Sequence, residues 1–341
     1  MDYWQDLWQQ LRVSALEPIR HFIDPEERVF VLYLVSGLLC AVIVHALARR
    51  RNPAGTPRRL LAYLFPRQIY LHPSAVADYK FFLIDRILSF LAVPFFVIVP
   101  IFIANPVFHL LEATFGPVET PILTPGVATT LLITLVTVLA IDLALWWIHY
   151  LHHRIPVLWE FHKVHHSAEV MTPITAYRMH PVEIILNFNL TNIVTAVTLA
   201  MFGYLTGDAI ASYQVVGINV VMFLFYVVGF NLRHSHVPMA YPRLVSYLLV
   251  SPWMHQVHHS VEKRHLDKNM GFIFSIWDWM FGTLYIPARD ETFAIGLDSG
   301  EAPQFHHVGA LYLLPFRNII ARFGAQADMK RAATKSTHKP S

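Results

Sequence analysis

The stretch VATTLLITLVTVLAIDLALWWIHYLHHRIPVLWEFHKVHH, Val127 to His166, decides how the chain folds. Its first part, Val127 to Ile148, carries a single charge, Asp142. At 1.5 Å per residue, about 20 such residues cross the roughly 30 Å of hydrocarbon in a bilayer. The apolar run then turns polar without a break. His149 and His153 stand four residues apart and share one face of a continuing helix. Asp142 lies seven residues before His149, two turns back on that face, placed to accept an imidazole proton or to counter a metal's charge. His152 points elsewhere. After Pro156 comes an H-x-x-H-H group, His162, His165 and His166.

The rest of the composition agrees with a membrane protein. Of 341 residues, 55% are hydrophobic and 14% charged, where a soluble domain has about a quarter charged. Mean hydropathy is +0.43. Besides Val127–Ile148, spanning runs are expected at Val29–Leu47, Leu83–Ala104, Ile184–Leu205 and Ile210–Leu232, about four to five in all. Pro94 and Pro100 should kink the second, and Asn187, Asn189 and Asn192 lie in the fourth. The fold expected is an all-α, multi-pass bundle with a cytoplasmic helical cap. Residues 1–28 read as an interfacial lead-in without a signal-peptide pattern, so the N-terminus is expected to be retained. The net charge of +3 includes no long basic patch with interleaved aromatics, which argues against nucleic acid. One cysteine, Cys40, leaves no thiolate metal site.

Arg49, Arg50, Arg51, Arg58 and Arg59 follow the first run, whereas the loop 105–126 carries Glu112 and Glu119 and no basic residue. The positive-inside rule puts the arginines in the cytoplasm. Counting crossings from there puts both histidine blocks on the cytoplasmic side as well.

Histidine is the anomaly: 20 in the chain, thirteen of them within 149–180 and 234–265. His255, His258 and His259 repeat the H-x-x-H-H spacing of the first group. In each group the first histidine faces the later two, while the adjacent pair diverges by about 100° on a helix. One turn can thus offer imidazoles to two metals. Eight histidines in these groups exceed the three or four that one ion needs. His180, beginning a helix at Pro181, and the pair His234 and His236 are further candidates. Imidazole suits zinc, copper, iron and nickel alike. Attack on an unactivated lipid C–H bond demands a redox metal with dioxygen, which favours iron.

The segment DLALWWIHYLHHRIPVLWEFHKVHHSAEVMTPITAYRMHPVE, Asp142 to Glu183, resembles the first half of the fatty acid hydroxylase and sterol desaturase superfamily. NLRHSHVP, SPWMHQVHHS and DKNMGFIFSIWDWMFGTLY, between Asn231 and Tyr285, resemble its second half. The resemblance covers about 127–285 and implies a division into 1–126, with the lead-in and two spans, a catalytic domain at 127–286, and a C-terminal cytoplasmic region at 287–341. It implies metal ligation by His149, His153, His162, His165, His166, His234, His255, His258 and His259. His180 matches a recurring family histidine, and Asn269 and Asp278 match positions that shape the site. Tyr150 stands where the family commonly has arginine, and His236 where asparagine is frequent. The cofactors implied are two iron ions, with O2 as cosubstrate and electrons from outside, through a separate cytochrome b5-like protein or a ferredoxin with its reductase. The substrate implied is an apolar lipid, fatty acyl or sterol-like, hydroxylated or oxidatively demethylated. Desaturation, or oxygenation of an ether lipid or carotenoid, is the alternative on the same fold. A metal transporter is the non-enzymatic rival, and it should line a route across the membrane with ionisable groups. A bacterial inner membrane or the endoplasmic reticulum would satisfy the same charge rule. Spacing leaves the oligomeric state open.

Overall fold

The computed structural model describes residues 12–95, 100–207, 214–215, 218–288, 291–297 and 300–337. The principal helices are α1 (Val31–Arg51), α2 (Pro73–Leu88), α3 (Pro100–Phe115), α4 (Val127–Arg154), α5 (Pro156–His166), α6 (Pro181–Thr206), α7 (Val220–Val227), α8 (Pro252–His258), α9 (Ile276–Phe281) and α10 (Val308–Thr337). The strands among the described residues are one two-residue pair, Gln214–Val215 against Ile218–Asn219.

Among the described residues, three helices are long and apolar enough to cross a membrane: α1, α4 and α6. Leu38 and Leu39 of α1, Leu131 and Leu135 of α4, and Phe188 and Leu199 of α6 stay exposed, the pattern of lipid-facing surface. The 28 residues of α4 extend about 42 Å, so its final turns project past the hydrocarbon. His149 begins about 33 Å from its start. A membrane-thick apolar helix thereby delivers its histidines just beyond the bilayer core. Pro181 pre-sets the first turn of α6, His180 accepts the Val182 N–H there, and Gly207 ends it with a left-handed φ of 62°.

Two expected spans are not single helices. Leu83–Ala104 is divided between α2, a 3-10 stretch at Ser89–Phe95 and α3, with residues 96–99 outside the described ones. Proline has no N–H to give the preceding turn, and the stretch that carries Pro94 is 3-10 rather than α-helical. What remains, α3, is 16 residues and about 24 Å long, and it packs on α6 through Ala104, Ala196 and Ala200. Small side chains let two such helices approach closely. In Ile210–Leu232, residues 210–213 and 216–217 lie outside the described residues, and α7 is only eight residues long. Gly229, at φ 78°, turns the chain after it, and Tyr226 and Phe230 bury themselves against Tyr33 of α1. Part of the apolar composition here serves a packed core, while Leu224 and Val228 stay exposed.

The polar half is fastened by a buried cluster of Phe81, Val164, Phe305, Leu311 and Leu314, joining α2, α5 and α10. Beside it Arg178 and Asp78 form an ion pair at 2.6 Å with side chains 0% and 1% exposed. Arg178 also donates to the carbonyls of Val164 and Phe305 and to Ser167 Oγ. A buried guanidinium so fully engaged fixes the backbone that carries it, including its own carbonyl.

Candidate metal centre

The end of α4 supplies His149 and His153, α5 supplies His162, His165 and His166, the turn after α7 supplies His234, and α8 with its C-terminal residue supplies His255, His258 and His259. Ser251 caps α8 by accepting the Met254 N–H, with Pro252 in the first turn. These nine histidines meet in two groups. His149, His153, His162, His166 and His258 form the first, and His165, His234, His255 and His259 the second. Within each, the ligand atoms all lie within 4.8 Å of one another. The adjacent pairs part company: His165 and His259 go to the second group, His166 and His258 to the first.

Hydrogen bonding on the far side of each ring decides what the near side offers. His149 Nδ1 donates to Met270 O and His258 Nδ1 to Lys268 O, both at 2.8 Å. His162 Nδ1 donates to the Glu183 carboxylate at 2.8 Å, and His165 Nδ1 to Arg178 O at 3.2 Å. Carbonyls and carboxylates only accept, so each of these rings carries its proton on Nδ1 and turns a lone pair inward on Nε2. His149 Nε2 and His162 Nε2 stand 3.1 Å apart. In the second group the Nε2 atoms of His165 and His234 are 3.3 Å apart, and those of His234 and His255 3.0 Å. His153 Nε2 and His258 Nε2 are buried with no hydrogen-bond partner. The lone pairs of His149 and His162, facing one another at 3.1 Å, repel unless a cation lies between them. Two all-imidazole sets of this kind fit two divalent transition metals.

Burial adds to this. It is the leading cause that holds His162, His166, His234, His255 and His259 well below the ordinary imidazole range, and His165 and His258 down to about 3. The rings are therefore neutral at neutral pH, the state a metal requires.

The turn 268–271 that offers two of those carbonyls is itself built by Asn269 and Asp278. Asn269, at a left-handed φ of 56°, donates to the carbonyls of Met254 and Tyr285 and accepts the Tyr285 N–H. Asp278 accepts the N–H groups of Met270 and Gly271 at 2.8 and 2.9 Å, the Trp146 indole at 3.0 Å and the Thr283 hydroxyl at 2.6 Å. A Cβ at Gly271 would stand 2.6 Å from Phe274 O and 2.9 Å from Asp278 Oδ2, so only glycine admits this approach. Arg233, buried and unforeseen from the sequence, donates to the carbonyls of Gly271 and Phe272.

Asp142 takes no imidazole proton. It accepts the N–H groups of Ile273 and Phe274 at 2.7 and 3.0 Å and the Trp277 indole at 2.9 Å, pinning the same segment to α4. His180 and His236 lie outside both groups. His180 caps α6 and donates from Nε2 to Tyr312 O, and His236 donates from Nε2 to Tyr63 O at 2.6 Å. His265 is held by Ser260 and Glu291. Two carboxylates reach ligand rings: Asp267 stands 3.5 Å from His153 Nδ1, and Glu183, in the first turn of α6, meets His162 Nδ1 at 2.8 Å. An acidic residue two positions after a helix-starting proline ordinarily reads as a favourable dipole partner, which hid its second role. Replacing Glu183 by leucine is expected to weaken metal binding in the first group about 10- to 100-fold and spare the second, as competitive chelation would read.

Above the two groups lies a cavity of about 400 Å³. Ligand rings from both line it, His149 and His162 from one and His165, His234 and His255 from the other. Leu145, Ile148, Ile184, Phe188, Met222 and Phe230 make much of the remainder apolar. The volume is in the range that holds a small-molecule ligand.

Residues 134–283 match the family model described as fatty acid hydroxylase. No solved structure matches the chain.

Proposed function

With residues 134–283 belonging to the fatty acid hydroxylase family, we propose that the chain is an O2-dependent lipid oxygenase with a non-haem diiron centre, hydroxylating or oxidatively demethylating a C–H bond of a fatty acyl or sterol-like substrate. The observation that carries the reading is the convergence of two sets of imidazole nitrogens on the wall of a largely apolar cavity. His149, His153, His162, His166 and His258 would hold one iron, and His165, His234, His255 and His259 the other. Bound iron supplies redox chemistry with dioxygen that no side chain can. The protein's own share is positional. The carbonyls of Met270, Lys268 and Arg178 and the Glu183 carboxylate fix ring orientation and proton position. The apolar lining accepts hydrocarbon and excludes bulk water from the reacting carbon.

Electrons would arrive from a separate cytochrome b5-like protein or a ferredoxin with its reductase. Cytoplasmic placement of the site draws support from a contact rather than from counting crossings. The segment that follows the five arginines packs on the second histidine block, Tyr63 O on His236 and Leu64 on Leu232 and Val237. Arginines and histidines therefore share a face, and the charge rule assigns that face to the cytoplasm.

Incubating the iron-loaded protein with a membrane lipid extract, a reductase system and 18O2 is expected to give a lipid product with an oxygen atom of that label. Complete absence of labelled or desaturated product, under conditions where reductant is consumed by a control enzyme, would overturn the reading.

A further inference from the structure

His152, between His149 and His153 on α4, has a surrounding of its own. It is 1% exposed and belongs to neither metal group. Its Nδ1 donates to Ile148 O at 2.7 Å, one turn back along α4, so its Nε2 carries a lone pair. That Nε2 is buried without a partner, and the residue lines the cavity beside His149 and His162. Two more acceptors share the situation. Glu183 uses one carboxylate oxygen for His162 while the other, Oε2, is buried and unpaired, and Asn187 Oδ1, one turn along α6, is buried and unpaired as well. Both residues line the same cavity. Buried polar atoms in folded proteins are paired in the great majority of cases. Three unpaired acceptors from two spans, on the wall of one cavity that Glu27, Arg28, Arg86 and Arg233 also line, call for a ligand that brings a donor.

We infer that His152 and Asn187, with the free oxygen of Glu183, form a hydrogen-bonding wall for a donor group, a hydroxyl or an amide N–H, carried by an otherwise apolar substrate. The inference rests on the lipid-oxygenase reading for the nature of the substrate, and it names what that substrate must bear. Bare hydrocarbon would leave all three acceptors dry, whereas a hydroxyl satisfies one and draws the chain's head to the first metal group. His152 then acts as a specificity residue and not as a ligand.

The test is equilibrium binding to the full-length, metal-loaded protein in nanodiscs, with hexadecan-1-ol and its methyl ether as matched probes and partition into lipid subtracted. The alcohol is expected to bind about tenfold more tightly than the ether, because only the alcohol donates. His152→Leu should bring that ratio close to one by weakening the alcohol alone, with metal content equal to wild type. His152→Gln, which keeps an acceptor, should retain part of the preference, and Asn187→Leu should reduce it. If the leucine variant at 152 does not fold, the glutamine and Asn187 variants carry the comparison. A wild-type ratio near one, a full ratio in the variants, or loss of a metal ion on His152→Leu would each overturn the inference. Binding needs no turnover, so a protein that shows the ratio yet oxidises no lipid would count against the oxygenase reading instead.

Discussion

Exchanging His258 for alanine is expected to leave a folded chain that holds one metal ion where the wild type holds two, and to abolish turnover. His258 presents a buried, unpaired Nε2 to the first group, and its ring is fixed by the Lys268 carbonyl. Losing it should exceed the roughly 100-fold that removal of an outer partner causes. Its neighbour supplies the control. His259 belongs to the second group, so His259→Ala should strip the other ion. Two substitutions one residue apart would then give complementary one-metal proteins, distinguishable by spectroscopy. Equal loss of both ions from either variant would mean that the nine histidines form a single cooperative site.

The second large effect is on stability. Asp278→Ala is expected to destabilise the protein by about 3–5 kcal/mol, because four donors lose a buried acceptor at once. Two of them are the backbone N–H groups of Met270 and Gly271, which no repacking of side chains can satisfy. The same change frees the Met270 carbonyl that holds His149, so metal affinity should fall along with the thermal midpoint. Asp278→Asn keeps one carbonyl acceptor and should lie between the two. A thermal midpoint for the alanine variant equal to wild type in detergent would show that the turn 268–271 is held by something else.

How much of this was legible beforehand depends on where each partner sits in the chain. The histidine spacings were legible because ligands on one helix turn must recur at three and four residues, and a period survives in sequence. The division of adjacent histidines between two groups follows from the same 100° per residue. The supports were not legible. Met270, Lys268 and Arg178 act through backbone carbonyls, which every residue has, so nothing in their side chains marks them. Asp142 looked like a partner for His149 by its heptad spacing, yet nearby amides and an indole compete for its oxygens. His180 and His236 have the residue type of a ligand but take up carbonyls that a tertiary contact brings to them. The spans show the same division. Uninterrupted apolar runs gave α1, α4 and α6, while the segment with Pro94 passes into a 3-10 stretch and the one before Gly229 holds a helix of eight residues.

Two converging sets of imidazoles would each hold a metal ion on the wall of the cavity. Purifying the chain anaerobically after growth with ample iron, and counting metal per chain, tests it most directly. Two ions per chain are expected, falling to one on His258→Ala. One ion or none in the saturated wild-type protein would contradict it.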